Sequence, residues 1–318
     1  MKLVKAAYIL AFVIAGISIV VALAGPIVVL PLAAIPLLAG IGIVRRRVWS
    51  AYGLALYEFA QLLLLPILLS RSGNRPGVLP GAIVSAVVGV ALAALFLSAG
   101  RALQAAGCKR GSAAPWIAVS LLCTVPLIFV DTFAMPSASM EDTLLIGDRF
   151  FVQRWPRPQP VRGEIVAFVY PMDRNEDYVK RIIGVPGDRI RIANKAVCRN
   201  GALLRESYAV HKFGSMDPYR DNFPSDPAAG VLTGGLDMLK NHVVQGEVIV
   251  PADRCFVLGD NRDDSFDSRY WGFIATDDVI GKPLLIYDSQ EESPEDALSG
   301  KSTGLHRRMR WNRIFKIL

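Results

Sequence analysis

Five stretches of at least eighteen residues in the first 134 positions carry no more than one charged side chain each: residues 6–24, 26–44, 48–70, 79–100 and 113–130. About 20 apolar residues cross the hydrocarbon core of a bilayer, and a spanning backbone must satisfy its own hydrogen bonds, so these runs predict five transmembrane helices. The short connections carry the orientation signal, because lysine and arginine beside them stay in the cytoplasm. Lys2, Lys5, Arg45, Arg46, Arg47, Arg101, Lys109 and Arg110 fall on one side, and only Arg71 and Arg75 on the other. That split puts the N-terminus inside and everything after Ala134 outside. Two points stay open: residues 1–24 also read as a cleavable signal peptide ending at Ala22-Leu23-Ala24, and Glu58 and Gln61 in the third run mark either a functional site or interhelical hydrogen bonding.

Charge divides the chain at the same place. Residues 1–134 hold ten basic and two acidic side chains, and residues 135–318 hold 25 and 26, so the net charge of +7 belongs to the apolar part. No basic face is left for nucleic acid, which argues against such a partner. From position 148 onward the pattern changes to short β-branched and aromatic runs bounded by turn chemistry, predicting strands over 150–153, 164–170, 178–185, 189–193, 242–250, 255–258 and 279–287. Asn200-Gly201 predicts a tight hairpin between 196–198 and 202–204. Residues 206–241, rich in Gly, Pro, Asp and Asn, read as an irregular insertion within a domain spanning 135–288. Residues 289–318 form a polar linker and a basic amphipathic tail, which suits either a membrane surface or a solvated end.

Four cysteines and three histidines say little. Cys108 and Cys123 belong to the apolar part, and the separation of Cys198 and Cys255 leaves their pairing open. His211, His242 and His306 form no metal-ligand spacing, and no C-x-x-C or H-E-x-x-H occurs. Chemistry points elsewhere. Pro136-Ser137-Ala138-Ser139-Met140 is a turn presenting two hydroxyls, equally consistent with a helix cap or linker. A serine nucleophile needs a base, and the best substitute for histidine is Lys180 in Asp177-Tyr178-Val179-Lys180-Arg181-Ile182-Ile183. Strand alternation puts Lys180 on a face with Tyr178 and Ile182. Moving a lysine from about 10.4 to roughly 8 takes on the order of 3 kcal/mol of desolvation, after which the amine can accept a serine proton. An ordinary solvated Lys180-Arg181 pair fits the same residues.

The order of segments narrows the choice. The serine turn with Thr143-Leu144 is followed by Gly163-Glu164-Ile165-Val166, by Tyr178-Val179-Lys180-Arg181 with Gly184-Val185-Pro186-Gly187-Asp188, and by Gly259-Asp260-Asn261-Arg262-Asp263-Asp264-Ser265-Phe266-Asp267-Ser268-Arg269. Together they resemble the bacterial type I signal peptidases, membrane-bound serine proteases with a Ser-Lys dyad. The resemblance covers roughly 133–287; together with the apolar runs and the strand pattern it gives the expected architecture, a multi-pass α-helical membrane domain followed by a mainly antiparallel β catalytic domain, outside the cytoplasmic membrane.

By the same resemblance, Ser139 is the nucleophile, Lys180 the general base, Ser137 an oxyanion donor and Ser265 the group orienting the lysine amine. Asp267 and Arg269 support the site as an ion pair, and Met135 and Val179 line shallow pockets for small substrate side chains. No cofactor and no metal is implied, and the expected partners are preprotein signal peptides and membrane lipid. The chain departs from the family pattern at Asp142, where proline usually precedes Thr-Leu, and in its number of apolar runs. Two rival expectations remain: a Ser-Lys protease dedicated to one secreted substrate, and a five-helix transporter or sensor with an inactive β-domain.

Overall fold

The computed structural model describes residues 4–12, 38–71, 78–109, 129–154, 159–291 and 308–318, with a few single residues between them. The chain divides into two compact units, Met1–Phe129 and Val130–Leu318.

The first unit contains helical residues 4–12 and 38–44 and two longer helices, α1 (Val48–Arg71) and α2 (Val78–Ala105). Its core is built from small residues: Ala7, Ala11, Ala39, Ala51, Ala55 and Ala99 are buried together with Ile43, Leu54 and Phe96. Tyr52 of α1 donates from its hydroxyl to Gln104 Oε1 of α2 over 3.1 Å. Among the described residues, no helix is long and apolar enough to cross a membrane. This finding overturns the multi-pass α-helical membrane domain expected from the apolar runs. An uninterrupted apolar stretch reads the same whether it faces lipid or packs on neighbouring helices, and the described alanines are buried on one another. Glu58 is half-buried. Most of the first, second and fifth runs, the Ala22-Leu23-Ala24 segment, the Gln61 side chain and Cys123 lie outside the described residues.

The second unit is antiparallel β, as expected. Its strands are β1 (Val130–Ala134), β2 (Asp148–Gln153), β3 (Ile165–Val169), β4 (Asp177–Gly184), β5 (Arg189–Ala193), β6 (Ala196–Arg199), β7 (Ala202–Leu203), β8 (Val243–Val244), β9 (Glu247–Ile249), β10 (Arg254–Leu258), β11 (Ile274–Ala275) and β12 (Val279–Ser289). The larger sheet runs β1-β2-β12-β3-β4-β10-β11 and the smaller β7-β6-β5-β9-β8. β12 pairs with both β2 and β3, with register shifts at Pro283/Leu285 and Ile286/Asp288. Pro283 has no N–H for a ladder, so a bulge there is the expected accommodation. β4 is covered on both sides: from Val179 to Gly184 every residue is buried. One face meets Val166, Phe168, Val257 and Trp271, while Ile183 joins Ile190, Phe223 and Phe256 in the core of the smaller sheet.

The irregular insertion is mostly turns, as its composition suggests, and closes with helix α3 (Thr233–Asn241), whose Met238 is buried beside Tyr219 and Phe223. A four-residue helix, α4 (Ser268–Trp271), follows the Gly259–Asp267 loop. Cys198 and Cys255 are free thiols, and burial raises the Cys255 thiol to about 11. The tail does not behave as a free end. Phe315 N–H donates to Ile286 O over 2.7 Å and Leu318 N–H to Leu284 O over 3.0 Å, so residues 315–318 run along β12.

The Asn200-Gly201 turn joins β6 and β7 with φ of 54° and 77°. Both values lie in the left-handed region that a two-residue hairpin requires and that glycine adopts without strain. Gly201→Ala is expected to lower stability by about 1 kcal/mol, read as a lower urea midpoint with unchanged slope. An unchanged midpoint would mean that the hairpin tolerates a different turn.

Candidate active site

Ser139 lies in a single 3-10 turn, Ala138–Met140, between β1 and β2. Ser137 precedes that turn with extended backbone and makes no side-chain cap to it, so its hydroxyl is not occupied as a helix cap. The two serine oxygens are 3.2 Å apart, Ser137 exposed and Ser139 only 5% exposed. From the middle of β4, Lys180 reaches the same point: its Nζ is 2.6 Å from Ser139 Oγ, and the residue is 4% exposed. The solvated reading of Lys180 and Arg181 is thereby corrected, because both faces of β4 are covered.

Burial is the largest influence on Lys180 and lowers its pKa to about 8, with the attraction of Asp267 working against it and the repulsion of Arg269 with it. These two charges are a buried pair of their own. Arg269 donates from Nε to Asp267 Oδ1 and from Nη2 to Oδ2, each over 2.8 Å. Burial alone would raise the Asp267 carboxyl, but the Arg269 charge and hydrogen bonds, with the Gly259 N–H, hold it below its ordinary value. Arg269 also donates to Arg262 O over 2.9 Å. Removing one partner of such a pair strands the other in a dry interior, at a cost of about 3–5 kcal/mol.

Ser265 is buried, with its hydroxyl close enough to the Asp267 carboxylate to help hold that group charged. The structure brings Ser137, Ser139 and Lys180 into contact but makes no Ser265 to Lys180 hydrogen bond. Ser265 is instead packed on Gly259: a Cβ at Gly259 would stand 2.2 Å from Ser265 Oγ and 2.4 Å from Ser139 O. Only glycine allows the two loops to meet this closely. Met135 and Val179 are buried in one apolar cluster with Met140, Leu144, Ile165 and Ala167. Among the described residues, no group of His, Cys, Asp and Glu has the arrangement of a metal site.

Several residues near the site were not singled out by the sequence. Asn261 donates its N–H to Ser139 O over 3.1 Å and its Nδ2 to Ala138 O over 3.2 Å, gripping the serine turn from behind. Arg181, next to Lys180 but on the opposite face, pairs with Asp260 through Nε at 2.7 Å and Nη2 at 2.6 Å, and its guanidinium stacks 3.8 Å from the Tyr208 ring. Asp260 also accepts from Thr143 Oγ1 over 2.6 Å. Strand alternation is the signal that separates Arg181 from Lys180; nothing local marks Tyr208.

The cost of burying Lys180 makes its removal stabilising. A folded-state value near 8 against an ordinary value of 10.5 means the folded protein binds fewer protons than the unfolded chain between those values, so stability rises with pH across that window. Lys180→Met is expected to be the more stable protein at pH 7 by about 3 kcal/mol, with the difference shrinking from about pH 8 and gone above about 10.5. Thermal melts at pH 7, 9 and 11 test this, and equal melting of the two proteins at pH 7 would contradict it.

A hydroxyl paired to a lysine kept near neutrality, with a second exposed hydroxyl beside it, can perform acyl transfer. Comparison with known proteins agrees. Residues 109–287, more than half of the chain, match the family described as signal peptidase, peptidase S26. The chain is 35% identical over 181 residues to signal peptidase I of Bacillus caldolyticus, covering 56% of this chain and 91% of that protein. It is 30% identical to signal peptidase I of Aquifex aeolicus, covering 52% and 79%. A crystal structure of a signal peptidase I from Enterococcus faecalis V583 shares 30% identity over 39% of this chain and 97% of that one, with a TM-score of 0.29. By the extent of the family match and the span of these relatives, the chain belongs to the S26 signal peptidases, serine endopeptidases that remove signal peptides from preproteins.

Proposed function

We propose that this signal peptidase works through Ser139 as nucleophile and Lys180 as general base, at the outer face of the cytoplasmic membrane. The observation that carries the assignment is the 2.6 Å separation of Lys180 Nζ and Ser139 Oγ inside a dry site. In the neutral form, Lys180 takes the Ser139 proton as Oγ attacks the scissile carbonyl. The oxyanion is met by the Ser139 N–H and the Ser137 hydroxyl. Collapse breaks the peptide bond, Lys180 returns its proton to the leaving amine, and water then releases the acyl group by the same base. Ser265 acts as a positioning residue for the amine; its burial against Gly259, where that glycine meets the serine turn, supports that role. Asp267 and Arg269 hold the loop that carries Ser265.

A signal peptide ends in an extended segment of small residues, which suits addition to a strand edge with side chains entering shallow pockets. Met135 and Val179, buried in one apolar cluster, are the proposed walls of those pockets. Trp311, Phe315 and Ile317 of the tail are exposed beside Arg308 and Lys316, a composition that suits contact with an anionic lipid surface.

Cleavage of a preprotein in single-turnover mode tests the dyad. Ser139→Ala is expected to be inactive, and Lys180→Arg nearly so, because arginine stays charged; wild-type rates in Lys180→Arg would sink the assignment. Ser137→Ala should lower kcat by roughly 100-fold to 1,000-fold with little change in KM. Ser265→Ala should also lower kcat rather than KM. Rates within about threefold of wild type for both serine variants would leave only the nucleophile and base.

The rate of wild-type cleavage is expected to climb with pH and level off above about 8, as Lys180 loses its proton. A profile flat from pH 6 to 10 would exclude Lys180 as the titrating base.

A further inference from the structure

The loop that begins at Ser139 ends at Asp148, whose side chain is completely buried. Asp148 Oδ2 accepts from Leu145 N–H over 2.8 Å, which turns the loop, and the Asp148 carbonyl accepts from Met135 N–H over 2.8 Å, which ties the loop's exit to the residue just before the serine turn. A buried carboxylate in this position needs a cation. It comes from the far end of the chain. Arg313 reaches Asp148 with Nε at 3.1 Å and Nη2 at 2.5 Å, and the same Nη2 donates to Thr143 O over 2.8 Å. Arg310 donates to Ile146 O over 2.5 Å and to Ser289 Oγ over 3.0 Å, and Ser289 in turn donates to Asp148 Oδ1 over 2.6 Å. Leu318, the last residue, packs on the cluster that contains Met135, Met140 and Val179.

We propose that the C-terminal segment 308–318 is a clamp on the nucleophile loop, with Arg313 as the positioning residue that sets where Ser139 stands relative to Lys180. Thr143 is the link. Its carbonyl is held by Arg313 and its hydroxyl by Asp260, the partner of Arg181, which adjoins Lys180 on β4. The loop carrying the nucleophile is thus fixed between the tail on one side and the strand carrying the base on the other. The planar guanidinium is what allows one side chain to satisfy a carboxylate and a backbone carbonyl together, a geometry that an ammonium cannot reproduce. Errors near 1 Å in such a site cost about 100-fold in rate.

This inference rests on the assignment of Ser139 as nucleophile. The test uses the full chain and single-turnover cleavage of a preprotein by wild type, Arg313→Ala, Arg313→Lys and Ser139→Ala. Arg313→Ala is expected to lose roughly 30-fold to 100-fold in kcat with KM within about threefold, and methylguanidinium should restore at least a tenfold part of that loss in a saturable manner. Arg313→Lys, which keeps the charge, should fold and still lose kcat without KM. Rates within about threefold of wild type for both arginine variants overturn the proposal. So does a loss that methylguanidinium does not relieve, or one that vanishes when the variants are assayed well below their melting temperatures, because a role in stability alone predicts the latter. If Arg313→Ala fails to fold, Arg313→Lys decides by the same criterion on kcat. Cleavage by Ser139→Ala would instead remove the nucleophile assignment, whatever the arginine variants do.

Discussion

Everything in the second unit is arranged around a lysine that is out of water and within hydrogen-bond reach of a serine. An ammonium in that position is costly, and the cost is the source of its usefulness: desolvation brings Lys180 to about 8, where a neutral amine exists at ordinary pH. Among the described residues, no histidine takes part. The apolar packing of β4 against Val166, Phe168 and Trp271 therefore serves as both hydrophobic core and the device that lowers the Lys180 pKa.

A dry site of this kind tolerates other charges only as closed pairs, and three such pairs surround it. Asp267 with Arg269 secures the loop that brings Gly259 and Ser265 against the serine turn. Arg181 with Asp260 joins the strand of Lys180 to Thr143. Asp148 with Arg313 closes the other end of the loop that begins at Ser139. The second and third pairs connect segments far apart in the chain, while Asp267 and Arg269, two residues apart, brace their own loop, so the contribution of all three is to fix loops that have few ladder hydrogen bonds of their own. Replacing a buried pair with apolar groups is often neutral for stability, which makes loop position the more telling consequence of these pairs. The opposed effects of Asp267 and Arg269 on Lys180 also leave burial in control of its pKa.

The apolar first unit shows where reading a sequence by composition stops. Runs of Ala, Val, Leu and Ile of spanning length have the same appearance whether lipid or other helices surround them. In the described residues those runs form helices whose alanines bury one another, and none of these helices is long and apolar enough to cross a membrane. The same habit of reading concealed β1, because Val130–Ala134 follows directly on an apolar run and has no turn to announce it.

The serine turn, the Lys180 strand and the Gly259–Arg269 loop were legible in the sequence because local order carries them: a proline before two serines, alternation along a strand, and an uninterrupted loop motif. Strand existence and the Asn200-Gly201 hairpin were legible for the same reason, since turn chemistry and side-chain alternation are properties of neighbours in the chain. What only the tertiary structure decided was which distant groups meet. Lys180 and Arg181 are adjacent and similar in composition, yet the sheet gives one to Ser139 and the other to Asp260. The tail, read as a free or membrane-lying end, supplies the cation for Asp148 from 165 residues away. Long-range pairing of this kind depends on burial and charge compensation, which are properties of the assembled fold and leave no local mark on the chain.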